Sequence, residues 1–329
     1  MASDLNWLVS ERDVPQALLP LPQSEPITPD EVYFGSHKVK LRGTSDWAPP
    51  RMQLVFTMHP SLKKSQILSQ QNYHCAICGS TLNGTNSKRV HYCDYLGKYM
   101  CPLCHGGKMA VIPARVLHQW DFRTYAVSDF AWKFLDQQWD IPLYNVYAIN
   151  PDLYKKVRLL RDMRHRRRRL TFVWDYIRTC RFSGDVVTKF GKLKTLFESL
   201  PCHFCVEVDV YSMRDFDEIR KGNMVPEIDT ALLHGEVHTK SCELCRAKAF
   251  ICEICQDDTD LLFPFQEKAV FRCDACGSCN HKSCVQNLSC PRCERIRVRR
   301  LGQEHNSGSS GASSAEEAEA YFATTSAQS

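Results

Sequence analysis

The stretch HTKSCELCRAKAFICEICQDDTDLLFPFQEKAVFRCDACGSCNHKSCVQNLSCPRC, His238 to Cys293, decides how the chain must be read. It holds ten of the eighteen cysteines and two histidines: His238, Cys242, Cys245, Cys252, Cys255, Cys273, Cys276, Cys279, His281, Cys284, Cys290 and Cys293. Twelve candidate ligands fill three tetrahedral zinc sites with none left over. Each CxxC pair sets two thiolates on one tight turn, poised to grip a single ion. From Cys252 onward the order is CxxC, CxxC, HxxC, CxxC, the order of an interleaved cross-brace. That arrangement assigns Cys252, Cys255, His281 and Cys284 to one ion and Cys273, Cys276, Cys290 and Cys293 to a second. His238, Cys242, Cys245 and Cys279 remain for a third, with Cys279 and His281 near enough in sequence to trade places. Disulfides are the competing reading, and the chain shows no route to an oxidising compartment that would favour them.

Length and charge bound the rest. At 329 residues there is room for two or three domains. Mean hydropathy is −0.35. Met1 to Leu21 lacks a basic start followed by an apolar run, and no segment approaches the roughly 20 apolar residues that span a bilayer. These features point to the cytosol or nucleus, where dense CxxC cysteines mean metal. The net charge of +5 is local, because residues 151 to 180 alone carry a balance of +7.

Along the chain, seven prolines between Pro15 and Pro50 break any long helix, so 1–46 reads as a disordered or extended lead-in. Leu5, Trp7, Leu8 and Val9 make a short apolar segment in it, expected to dock on the chain's own core. MQLVFTM, Met52 to Met58, reads as a strand. A fourth zinc site follows in 47–115: Cys75 and Cys78 in CAICG, Cys101 and Cys104 in CPLCHGG, with Gly79 and Gly106 supplying positive φ. Cys93 and His105 lie close by as alternative ligands, though the plainer reading makes one a buried thiol and the other a hydrogen-bonded histidine.

Residues 116–232 read as a helical middle, rich in Trp120, Trp132, Trp139 and Trp174. There Asp152 is expected to cap a long helix whose apolar side carries Leu153, Val157, Leu160 and Met163, then Leu170, Val173, Trp174 and Ile177. Arg164 to Arg169, RHRRRR, interrupts it. The functional reading makes Arg164, Arg166, Arg167, Arg168 and Arg169 a contact for an anionic lipid or protein surface. The bland reading pairs them with the chain's own acids, such as Glu207, Asp209, Asp215 and Asp217. Cys202 and Cys205 form one more CxxC, read as a thiol pair without metal, and Cys180 as a core residue. Residues 233–300 are the multi-zinc module, ending in a basic strip at Arg295, Arg297, Arg299 and Arg300. From Gly302 the chain has little to bury and is expected to be disordered.

The fold class is therefore mostly α with small zinc-binding β and knuckle modules. A helical middle is flanked by an N-terminal zinc ribbon-like site and a C-terminal cross-brace of FYVE, PHD or RING type. Catalytic zinc keeps an open position with a carboxylate beside it, whereas every site here can be closed by four protein ligands. No HExxH, deaminase signature, phosphate loop or GxSxG is present, which argues against an enzyme. Among cross-brace proteins, ubiquitin ligases of the RING type suit Ile254 and Pro291, but Asn287 stands where a ligand is wanted. Chromatin readers match the ligand order better, yet no Trp follows Trp174 to build a methyl-lysine cage. A ligase and a chromatin or nucleic-acid binder remain the rival classes.

Longer strings carry a sharper likeness. QQNYHCAICGSTL, HYCDYLGKYMCPLCH, VLHQWDF, LYNV, LYKKVRLL, RKG, CELCRAKAFICEICQ, LLFPF, HKSC and CPRCER together resemble the Rubicon homology domain of the Rubicon family, in its Rubicon and Pacer branch. The likeness covers roughly 47–300, and SDLNWLVSE near the start is similar too. Val270 stands where the family shows one more cysteine, and PCHFC replaces a segment without cysteines. The family's RUN and Beclin-binding regions find no counterpart in this reading, which makes the chain a short relative or a partial product. The resemblance implies a structural-zinc adaptor of about four ions, with the ligands already named. It implies binding to the GTP form of the late-endosomal Rab GTPase, Rab seven. It also implies a cytoplasmic protein recruited to late endosomes, lysosomes and autophagosomes, regulating autophagy and endosome maturation. A phosphoinositide-kinase complex or anionic membrane is a further partner to test, and nucleic acid is not expected.

Overall fold

The computed structural model describes residues 31–34, 37–40, 47–82, 89–285 and 290–309. The apolar segment at Leu5 to Val9 lies outside them. Every sheet among the described residues has two strands. With so little ladder, order must come from helices, aromatic packing and the cysteine knuckles.

Two units divide the chain. The first comprises Met1–Arg164 and Glu207–Val225, the second His165–Val206 and Pro226–Ser329. The expected helical middle is thus shared between them, and the long helix Arg158–Thr179 belongs up to Arg164 to the first.

In the first unit, hairpin Glu31–Phe34 with His37–Lys40 precedes helix Lys64–Gln70. Strands His91–Cys93 and Lys98–Met100 form an aromatic hairpin between the two CxxC knuckles. Strands Lys108–Val111 and Thr124–Val127 pair around helix Pro113–Gln119. Helix Asp129–Gln137 starts where Ser128 Oγ accepts from the Ala131 N–H, an N-cap that satisfies one orphan donor. The core is aromatic: Tyr144, Tyr211 and Phe216 are buried, and the Tyr211 and Phe216 rings stack at 5.2 Å.

MQLVFTM is not a strand. Its carbonyls are taken by side chains: Tyr95 donates to the Gln53 carbonyl at 2.6 Å, and His118 Nε2 donates to the Phe56 carbonyl at 2.8 Å. No neighbouring strand is left to pair with it among the described residues. The long helix also begins later than expected. Leu153–Lys156 is a separate turn, Asp152 gives no side-chain cap, and Val157 is extended before the helix restarts at Arg158. Leu160, Met163, Leu170, Val173 and Ile177 are buried as the stripe requires.

The second unit packs the remainder of that helix against helices Leu193–Glu198, Cys202–Val206 and Val225–Ser241. Gly235 makes this approach possible. A Cβ there would lie 2.5 Å from Val173 Cγ1 and 2.6 Å from Phe197 Cζ. The metal-ligand segments follow, with strands Val270–Arg272 and Cys279–His281 paired between them. Helix Pro291–Ser309 closes the described chain and continues past Gly302, where order was not expected. Residues 310–329 lie outside the description.

Gly235→Ala tests the packing. In an open helix the change would add about 0.5–1 kcal/mol of stability. Here overpacking should reverse the sign and cost about 1–3 kcal/mol, read as a lower urea midpoint at unchanged slope.

Candidate metal centres

Four groups of four side chains bring their ligand atoms within 4.8 Å of one another. The first is Cys75, Cys78, Cys101 and Cys104. Its first knuckle is closed by the Gly79 N–H donating to the Cys75 carbonyl at 3.0 Å, with Gly79 at φ 72. Trp47 covers that turn, its indole ring 2.9 Å from where a Gly79 Cβ would sit. At the second knuckle the positive φ falls on Gly107, not Gly106. The same left-handed position after the second cysteine recurs at Gly277 and, with a side chain, at Gln256.

Two groups interleave along the chain. Cys252, Cys255, His281 and Cys284 form one, and Cys273, Cys276, Cys290 and Cys293 the other. His281 Nδ1 lies 3.3 Å from Cys255 Sγ and 3.8 Å from Cys284 Sγ. Its Nε2 donates to Asp260 at 3.2 Å, the outer carboxylate that fixes the tautomer of a ligating histidine.

The fourth group is Cys180, His238, Cys242 and Cys245. Cys180, read from sequence as core, takes the place expected of Cys279. It follows the long helix directly, and its sulfur is 3.7 Å from that of Cys242. Cys279 is instead held in the Arg272↔Cys279 strand register and packs with Leu262, Val270 and Cys252. Burial pushes its thiol up to about 11, which suits a protonated core residue. Val270, where a further cysteine was conceivable, belongs to the same apolar cluster.

The donor sets fit a tetrahedral ion. Four sulfurs at about 2.3 Å from one centre are about 3.8 Å apart. Sulfur pairs lie at 3.7 Å for Cys78 to Cys101 and for Cys180 to Cys242, 3.6 Å for Cys273 to Cys293 and 3.5 Å for Cys276 to Cys290. Disulfide sulfurs would be about 2.0 Å apart. His238 Nε2 is buried with no hydrogen-bond partner, an orphan that a cation would satisfy. The thiols also perturb one another. The Ser278 hydroxyl and N–H draw Cys276 down to about 6, while Cys276 and Cys273 push Cys293 up to about 12. Four adjacent thiolates need a cation between them.

Cys93 and His105 join no such group among the described residues. Cys93 accepts from the Ser128 N–H at 3.3 Å, and His105 Nε2 donates to the Tyr92 carbonyl at 3.2 Å. Cys202 and Cys205 likewise stand apart, with Cys205 pushed up to about 11 by burial.

The arginine run is consumed inside the chain. Arg164 pairs with Asp209 at 2.8 Å, Arg166 with Asp229 at 2.8 Å and Arg169 with Glu236 at 2.6 Å. Arg168 lies 3.8 Å from Glu267 and 3.7 Å from Asp274. Arg167 is fully buried, donates to the His203 carbonyl at 3.1 Å and covers the Phe204 ring. Asp209 is one of the acids expected from sequence. An anionic surface would have to compete with these carboxylates.

Among the described residues the chain is helix-rich with small sheets and carries four Cys/His groups that could each hold a metal ion. The family profile described as Rubicon Homology Domain matches residues 91–298, and the chain belongs to that family. A second profile, Rubicon, PI3K-binding domain, matches residues 1–52, the lead-in in which SDLNWLVSE carries the likeness. The mouse Run domain Beclin-1-interacting and cysteine-rich domain-containing protein is 40% identical over 305 residues, 91% of this chain and 31% of that protein. The human Protein associated with UVRAG as autophagy enhancer is 41% identical over 263 residues, 80% of this chain and 38% of that protein. Human Pleckstrin homology domain-containing family M member 3 is 30% identical over 265 residues, 80% of this chain and 33% of that protein. The chain thus spans about a third of the length of these relatives. No helix among the described residues is long and apolar enough to cross a membrane.

Metal stoichiometry separates the two candidate cysteines. With four groups among the described residues, Cys180→Ala should release one ion of four, measured by plasma mass spectrometry on purified protein, whereas Cys279→Ala should keep all four. The opposite pattern would restore Cys279 as the ligand.

Proposed function

We propose that each of the four groups holds zinc as a structural ion, and that the braced scaffold is an adaptor without catalytic activity. Thiolate-rich S₄ and S₃N donor sets select zinc over harder divalent ions. Closed four-ligand sites leave no position for an activated water.

Its partner is the GTP form of the late-endosomal Rab GTPase, and its work is the regulation of autophagy and endosome maturation on late endosomes, lysosomes and autophagosomes. The observation that carries this reading is family membership across 91% of the chain, with relatives whose names refer to Beclin-1 and to UVRAG-linked autophagy enhancement. Residues 1–52 would contact the phosphoinositide-kinase complex, supported by the profile that matches them. An effector is defined by differential affinity: only a surface complementary to the GTP-ordered switch segments distinguishes the two nucleotide states.

Binding of the zinc-loaded chain to the Rab in each nucleotide state tests this. The GTP form should bind at least about 10-fold more tightly. Cys252→Ser with Cys255→Ser should abolish the preference by unfolding one metal centre. Equal affinity for the two forms would refute the effector role while leaving the metal assignment intact.

A further inference from the structure

Helix Val225–Ser241 is apolar on two sides, and the described residues cover only one. Ile228, Ala231, Leu232, Gly235 and Thr239 are buried. Leu233 is 62% exposed and Val237 59%. Pro226, Thr230, Leu233 and Val237 recur at i, i+4, i+7 and i+11, so they form one straight seam on the helix. The Thr230 hydroxyl donates to the Pro226 carbonyl at 2.7 Å, which satisfies the one polar group in that seam. Beside it the exposed Phe190 ring sits 5.9 Å from the His234 ring and widens the apolar strip.

We infer that this seam pairs with the same seam of a second copy of the chain, the two helices running antiparallel. Two features favour a copy over another occupant. The seam is self-complementary: a two-fold axis between Leu233 and Val237 sets each Leu233 against the other chain's Val237, as ridges-into-grooves packing requires. The charges on one flank are also antisymmetric. Asp229 lies toward the helix start, its carboxylate 46% exposed although it accepts from Arg166, and the exposed Lys240 lies toward the end. Antiparallel pairing brings each Asp229 near the other Lys240, whereas parallel pairing would align like with like. Covering the second apolar side removes Leu233 and Val237 from water, and a seam of this length suits a concentration-dependent dimer.

Sedimentation equilibrium of the zinc-loaded, full 329-residue chain tests the inference. The unsubstituted chain should dimerise reversibly. Leu233→Lys alone and Val237→Glu alone should each weaken the dimer by about 10-fold or more, because each places two charges in an apolar seam. Both residues are exposed, so the four metal ions should be retained and reported alongside. Mixing the two substituted chains should restore association, since the new lysine of one faces the new glutamate of the other while the remaining Leu233 and Val237 still meet. A chain that is monomeric at every concentration overturns the inference. So does a dimer indifferent to both substitutions, or a mixture no tighter than its components. Loss of GTPase binding by Leu233→Lys in a monomeric chain would assign the face to that partner instead.

Discussion

The closure of four side chains around one point is the constraint on which the rest depends. Among the described residues no sheet exceeds two strands, so backbone ladders do not hold distant segments together. The Cys180, His238, Cys242 and Cys245 group shows what replaces them. It joins the end of the helix Arg158–Thr179 to the end of Val225–Ser241. Val173, Phe197 and Gly235 fix how closely those helices approach before the ligands meet. Packing and ligation are therefore one design: the missing Cβ permits the contact, and the ligand group locks it.

The arginine run belongs to the same design. A helix this rich in arginine buries one face only if its charges are met locally. Arg166 and Arg169 reach Asp229 and Glu236 on the helix Val225–Ser241. Exposed pairs of this kind contribute little each, about 0–1 kcal/mol. Their value is orientation, since two bidentate-capable arginines three residues apart fix which side of the neighbouring helix faces inward. The same pairing leaves Leu233 and Val237 facing solvent, so the arrangement that neutralises the basic run also creates the uncovered apolar seam.

Family membership and geometry carry different parts of the functional argument. The profile match and the identity of relatives place the chain among Rubicon homology domain proteins. The geometry supplies what likeness alone does not, namely ligand sets that are closed and buried enough to be scaffolding. His281, held between two thiols and Asp260, and His238, with its buried Nε2, are oriented for ligation.

How much could be read in advance follows from locality. Cys75 with Cys78, Cys101 with Cys104, and the interleaved pairs from Cys252 to Cys293 were legible because each CxxC is formed within one turn, independent of the remaining fold. Helical burial of Leu160, Met163, Leu170, Val173 and Ile177 was legible for the same reason, as periodicity is a local property. The strand expected at MQLVFTM failed because its carbonyls were claimed by Tyr95 and His118, residues far along the chain. Cys180 carries no spacing signal, standing 58 positions before His238 and just past the end of a different helix. Sequence alone thus determined that this chain closes metal sites, which short segments form them, and where its helices bury a face. Only the tertiary structure decided that Cys180 rather than Cys279 completes a group, that Arg164, Arg166, Arg168 and Arg169 meet carboxylates of the chain itself, and that one apolar seam stays open among the described residues. Those outcomes depend on which distant segments arrive within a few ångströms of each other, and no local pattern encodes that.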